Sequence, residues 1–184
     1  MLGRLGVEFE VVPSDIDETL VGVPSEETVA ALALAKARAV ATRLGAGIVL
    51  GADTVVVIDG MALGKPVDAE DARAMLRRLR DRAHHVITGV AVVDAATGRA
   101  ETTAVVTQVV MAKMGDETIE AYVASGEPLD KAGAYAIQGR GGALVAGFAG
   151  SYSNVVGLPL GATARLLSRF GVGVSAPPED SAGV

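Results

Sequence analysis

The chain has 184 residues, half of them apolar and 21% charged, which fits one folded domain and excludes a disordered or low-complexity protein. Sixteen basic residues against 22 acidic ones leave a net charge of −6, the wrong sign for a chain that coats duplex nucleic acid, so polymeric nucleic acid is not an expected partner. With no cysteine and only the adjacent His84 and His85, disulfide frameworks, thiolate metal sites and cysteine nucleophiles are excluded.

Residues 7–12 (VEFEVV) alternate weakly and predict a short strand ended by Pro13. Pro24-Ser25-Glu26-Glu27 supplies an N-cap and an acidic first turn, and Val29, Leu32, Lys36, Val40 and Leu44 follow at helical spacing, so a helix is predicted over about 25–44. The β-branched run at 48–58 (IVLGADTVVVI) predicts a buried strand, and Asp59-Gly60 a hairpin into Met61–Leu63. Asp68 caps a helix with an inward stripe of Ala72, Met75, Leu76 and Leu79. Two long strands are expected near 85–94 and 99–112, a helix near 116–124, a strand near 143–148 and an amphipathic helix over 158–170. The mixture predicts an α/β domain of mixed α+β character, its sheet flanked by helices. No apolar run reaches the roughly 20 residues of a membrane span, and no export signal follows Met1. A soluble, cytoplasmic protein without a membrane partner is therefore expected.

Asp53 stands within an apolar strand, where an unpaired carboxylate costs several kcal/mol. It is either a structural acceptor, the neighbouring Thr54 being one candidate donor, or a carboxylate that binds a metal or takes a proton from water. Lys36 falls on the inward stripe of its helix, either as a snorkelling stem or as a contact for an anionic ligand. Lys65, in Gly64-Lys65-Pro66, follows the hairpin, where a plain surface lysine is the commoner case. The segments Asp130-Lys131-Ala132-Gly133 and Gln138-Gly139-Arg140-Gly141-Gly142 offer backbone amides to phosphate oxygens, although they match no nucleotide-binding fingerprint. His84 and His85 face opposite ways in a strand and cannot share a metal. Oxygen ligands such as Asp17, Glu18 and Asp53 point to Mg²⁺ or Mn²⁺. Carboxylates, a few lysines and no covalent nucleophile describe metal-assisted attack of water on a phosphate ester or anhydride.

Asp17-Glu18, the Lys36-Ala37 helix, GADTVV at 51–56, GKP at 64–66, ITGV at 87–90, SGEPLDKAGAYAIQG at 125–139 and GSYSNVVGLPL at 150–160 together resemble the Maf family of nucleoside triphosphate pyrophosphatases, in order over residues 1–170. The resemblance implies an elongated mixed sheet with a nucleotide cleft, similar to the inosine triphosphate pyrophosphatases. It implies that Asp53 is the catalytic aspartate, that Glu18 and Asp53 hold a divalent cation, Mg²⁺ or Mn²⁺, that Lys36 and Lys65 meet the triphosphate, and that Thr54 and Gln138 bear on base selection. GADT with IQG is similar to the branch acting on dTTP and UTP rather than 7-methyl-GTP. Hydrolysis of dTTP, UTP and modified nucleotides to monophosphate and pyrophosphate is therefore expected, a role that keeps unwanted nucleotides from incorporation.

Other readings are a catalytically impaired nucleotide-binding module, in a family linked to arrest of cell division, and an inosine or xanthosine triphosphatase. A homodimer is left open. One domain is expected over residues 1–172, followed by a flexible tail at 173–184. The family's opening strand and Ser-x-x-Arg segment are expected upstream of Met1-Leu2-Gly3-Arg4.

Overall fold

The structure, a computed structural model, describes residues 1–16 and 23–176. Helix α1 (Glu26–Leu44) starts where the sequence places it. Ser25 accepts the Thr28 amide and Thr28 in turn accepts the Ser25 amide, a reciprocal cap that satisfies two donors left open at a helix start. Strand β1 (Ile48–Ile58) turns through Asp59 and Gly60, both at positive φ, into β2 (Met61–Leu63). Helix α2 (Ala69–Leu79), capped by Asp68, leads to the long hairpin of β3 (Ala83–Asp94) and β4 (Ala100–Met111). Helix α3 (Asp116–Ala124), short 3₁₀ turns and β5 (Val145–Ala149) follow. The single helix expected over 158–170 is two, α4 (Tyr152–Val156) and α5 (Leu160–Arg169). Gly157 at φ 111° ends the first, and Pro159 precedes the second, so the chain bends between them.

The sheet has the order β2-β1-β3-β4-β5, and its ladders among the described residues are antiparallel. It is flanked by helices, as expected for this α/β domain. The sheet's alternation sorts its two faces. Val49, Gly51, Asp53, Val55 and Val57 turn toward α1, while Val56 and Ile58 join Leu76, Leu79, Val109, Ile119 and Tyr122 in the largest core on the other side. A second core on that side gathers Val90, Val92, Leu160 and Leu167 around Leu5. Arg73 with Glu120 at 2.8 and 2.9 Å, and Arg80 with Asp116 at 2.7 Å, join the exposed sides of α2 and α3.

Two features of β1 prepare the site. Helix α1 lies backbone to backbone on the sheet, because a Cβ at Gly51 would stand 2.5 Å from the Ala33 carbonyl oxygen and one at Gly89 2.5 Å from that of Val29. Second, β1 pairs with β3 from Ile48 to Val57 but with β2 only over Val56–Ile58. Among the described residues, its outer edge from Ile48 to Val55 has no strand partner.

The strand predicted over 7–12 is not formed. These residues line a hollow of about 560 Å³ beside α1 and the outer part of β1, with Glu8, Phe9, Glu10 and Val11 exposed and no ladder made. Weak alternation becomes a strand only where a neighbouring strand takes its amides and carbonyls. At the other end, the Ser175 amide donates to the Leu5 carbonyl at 2.8 Å, and Val172 and Val174 pack on the second core. Residues 177–184, within the expected tail, lie outside the described residues, as do Asp17 and Glu18. No described helix is long and apolar enough to cross a membrane.

Candidate functional site

Asp53 and Lys36 meet. The lysine Nζ donates to Asp53 Oδ1 at 2.6 Å, joining α1 to β1, with the two side chains 15% and 12% exposed. Asp53 is paired with Gly89 across the β1–β3 ladder, and the bare backbone of Gly89 lets α1 approach on that face. Lys36 flanks the buried stripe of α1, which is Val29, Ala33, Ala37, Val40 and Ala41, so its stem runs along apolar surface to the carboxylate. The alternative in which Thr54 satisfies Asp53 is overturned by the strand's alternation. Thr54 points to the other face, where its hydroxyl lies 2.9 Å from that of Thr88 and 3.5 Å from the Gly157 carbonyl oxygen.

The pair opens onto a cleft of about 780 Å³ along the outer edge of β1. Lys36, Lys65 and Lys131, three of the chain's four lysines, line it, together with Asp53, Thr54 and Gln138. The structure thus brings the sequence-predicted Lys36, Asp53, Thr54, Lys65 and Gln138 to one cavity. Glu18 lies outside the described residues. Lys131 is the cleft lysine that no sequence motif singles out by itself. Its neighbour Asp130 also lines the cleft, hydrogen-bonds it at 2.8 Å and is held below the usual carboxylate range chiefly by that contact, with Lys65 adding to the effect. The scarcity of lysine, four in the chain, is the signal that marks it for inspection.

The floor and far wall come from a rigid set of contacts. The Gly133 amide donates to the Gly64 carbonyl at 2.9 Å, tying the segment after Lys131 to the turn before Lys65. A Cβ at Gly133, which has φ 69°, would press on the Val56 side chain at 3.0 Å. Tyr135, at the cleft wall, meets His84 with a 2.7 Å contact between its hydroxyl and Nε2. Burial lowers the His84 pKa to about 4, with a smaller push from His85, and raises that of Tyr135. On the opposite side, Thr88 donates to the Asn154 carbonyl at 3.1 Å, and the Asn154 amide donates to the Val86 carbonyl and Thr107 hydroxyl, fixing α4 and the Gly157 turn beneath Thr54.

The glycine-rich segment does not offer all the amides the sequence suggested. Those of Arg140 and Gly141 are already taken by the Glu127 carboxylate, at 3.2 and 3.1 Å. As for a metal, no cluster of three or more acidic or histidine ligands occurs among the described residues. Asp53 and Asp130 bring carboxylates to the cleft, each already in contact with a lysine, which suits a hard cation held by one or two carboxylates together with substrate phosphates rather than by an all-protein cage.

Residues 1–170 match the family model described as Maf-like protein. A dTTP/UTP pyrophosphatase of Moorella thermoacetica is 54% identical over 175 residues, covering 95% of this chain and 90% of that protein. The dTTP/UTP pyrophosphatases of Anaeromyxobacter dehalogenans and Myxococcus xanthus are 54% and 52% identical over 174 residues, covering 93% and 94% of this chain and 88% and 87% of theirs.

Proposed function

The chain belongs to the Maf family, and from that membership and the chemistry of the cleft we propose that it hydrolyses dTTP and UTP to the monophosphate and pyrophosphate. The observation that carries this reading is a carboxylate–lysine pair at the rim of a cleft lined by most of the chain's lysines. A cavity of about 780 Å³ is within the size range of small-molecule sites. Three ammonium groups suit a polyanion, and they are gathered locally in a chain whose net charge is −6. One domain over residues 1–172 carries the activity, which removes nucleotides that should not be incorporated.

In this mechanism water attacks the α-phosphorus, the bond to the bridging oxygen breaks, and pyrophosphate leaves. The Asp53 carboxylate takes the proton of the attacking water. Lys36 orients that carboxylate through their 2.6 Å contact. Lys65 and Lys131 offset the charge that accumulates on the leaving pyrophosphate. Asp53 with Glu18 would hold a divalent cation, Mg²⁺ or Mn²⁺, which supplies Lewis-acid polarisation of the phosphate oxygens when bound. Thr54 and Gln138, both in the cleft lining, read the base edge in this mechanism.

The test is the products and selectivity of the purified protein with Mg²⁺. Pyrophosphate and monophosphate should appear from dTTP and UTP, with kcat/KM at least about tenfold above that for GTP and 7-methyl-GTP, the scale of discrimination that a few base-edge hydrogen bonds provide. Chelation should abolish turnover. Release of orthophosphate, or a higher kcat/KM on the methylated purine, would overturn the assignment.

A further inference from the structure

Gln138 reaches the cleft from a turn whose shape is set by two residues that line no part of the cavity. Tyr122, on the buried side of α3, accepts the Ala136 amide at 3.2 Å and donates its hydroxyl to Glu127 Oε1 at 3.2 Å. Glu127 then accepts the Gly141 amide on the same oxygen at 3.1 Å and the Arg140 amide on the other at 3.2 Å. The clamp therefore grips the chain immediately before and after Ile137–Gly139.

Sterics close the same turn. Gly139 adopts φ 65°, and a Cβ there would lie 3.0 Å from the Glu127 carboxylate. One at Gly141 would stand 2.3 Å from the Ala136 carbonyl oxygen and 2.6 Å from the Tyr122 hydroxyl. The carboxylate also fills the backbone nest that the glycine-rich sequence would otherwise present to a phosphate. What the turn leaves unengaged is its tip. Among the described residues the Gln138 side-chain amide, at the cleft wall, has no hydrogen-bond partner, so its donors and acceptor are available to a ligand.

We infer that Glu127 and Tyr122 are positioning residues for nucleotide selection: they clamp the Ala136–Gly141 turn so that the Gln138 amide is presented to the base in one fixed orientation. This rests on the reading of Gln138 as a base contact. The clamp contributes to discrimination rather than to bond cleavage, since neither residue reaches Asp53 or the lysines. Loosening a positioned amide erodes specificity before it erodes rate, because the wrong base gains as the right one loses.

The test compares Gln138→Ala, Glu127→Gln, Tyr122→Phe and the double variant Glu127→Gln/Gln138→Ala, each shown folded by thermal unfolding. The measured quantity is the ratio of kcat/KM on dTTP to that on GTP, with kcat on saturating dTTP beside it. Gln138→Ala should lower the ratio about tenfold, and each of Glu127→Gln and Tyr122→Phe at least about threefold, these two keeping kcat within about twofold of wild type. The double variant should be no less selective than Gln138→Ala alone, as expected for residues acting through one another. Folded clamp variants with the wild-type ratio, beside a Gln138→Ala that loses selectivity, would overturn the clamp and leave the reading of Gln138 intact. A Gln138→Ala with unchanged selectivity would overturn both. A further loss of selectivity in the double variant would also overturn the clamp, because Glu127 would then act by another route.

Discussion

Two polar pairs of nearly equal length sit on the same sheet and do opposite things. Lys36 and Asp53 meet at 2.6 Å, His84 and Tyr135 at 2.7 Å. The first pair is charged and stands 15% and 12% exposed at the mouth of the cleft, while the second is sealed, with His84 1% and Tyr135 5% exposed. Contact distance alone does not distinguish a reactive pair from a structural one. What does is solvent access, because a charged pair driven fully into the core loses more hydration than its mutual attraction returns. The neutral pair tolerates burial, although it leaves His84 Nδ1 with no hydrogen-bond partner. One pair keeps contact with solvent at the cleft, and the other fixes the wall behind it.

The sharpest way to break this contrast is to neutralise Asp53. Asn keeps the shape and removes the charge, so pyrophosphate release should fall by about 10²- to 10⁴-fold, the range for losing general acid–base catalysis. The fold should survive but lose some stability, because the Lys36 ammonium, 15% exposed, then faces a neutral amide instead of its counter-ion. A folded Asp53→Asn protein retaining more than about a tenth of wild-type turnover would move Asp53 from the reaction to the scaffold.

Lys36→Met tests the other half of the charged pair. It removes a hydrogen bond between charged groups, a class worth about 1.5–3 kcal/mol, so kcat/KM should drop by about 10- to 100-fold. Steady-state kinetics on dTTP would reveal it. An unaltered kcat/KM would mean that the lysine merely covers apolar surface.

For the sealed pair the expected signature is in stability rather than rate. His84 titrates near 6.5 in the unfolded chain and near 4 in the folded one. Between those values the unfolded state binds more protons, so the contribution is fully present above about pH 6.5 and is lost as pH falls toward 4. Its upper bound is about 3.5 kcal/mol at about 1.4 kcal/mol per pKa unit. Denaturant unfolding of wild type and His84→Gln across that window should show a steeper acid decline in the wild type. Parallel profiles would mean that burial does not hold the imidazole neutral.

Much of this was legible in the residues themselves. The β-branched run at 48–58, the Asp59-Gly60 turn and the Ser25 cap are local signals, and each became the element it announces. Asp53 and Lys36 stood out because each is a charge at an apolar position, and the structure joins them. The strand predicted at 7–12 shows the limit of local alternation, since pairing is decided by a neighbour distant in sequence. Glu127 was invisible for a related reason. A glutamate beside Gly126 and Pro128 looks like turn surface until the fold returns Arg140 and Gly141 to it. Lys131 belongs to the same class, because its membership in the cleft depends on the Gly133–Gly64 contact.

The seating of α1 on the sheet has a consequence for how this protein can evolve. Most core positions absorb an exchange of one apolar side chain for another by repacking, so their sequence can wander while the shape persists. Gly51 and Gly89 have no such latitude, because the next larger side chain would meet a main-chain carbonyl at 2.5 Å and lift the helix. Lys36 rides on that helix and Asp53 on the strand beneath it, so the thickness of two hydrogen atoms gauges the gap between them. The charged pair is thus held to tolerance by residues with no chemistry at all, and lineages that preserve it must preserve these two empty places with it.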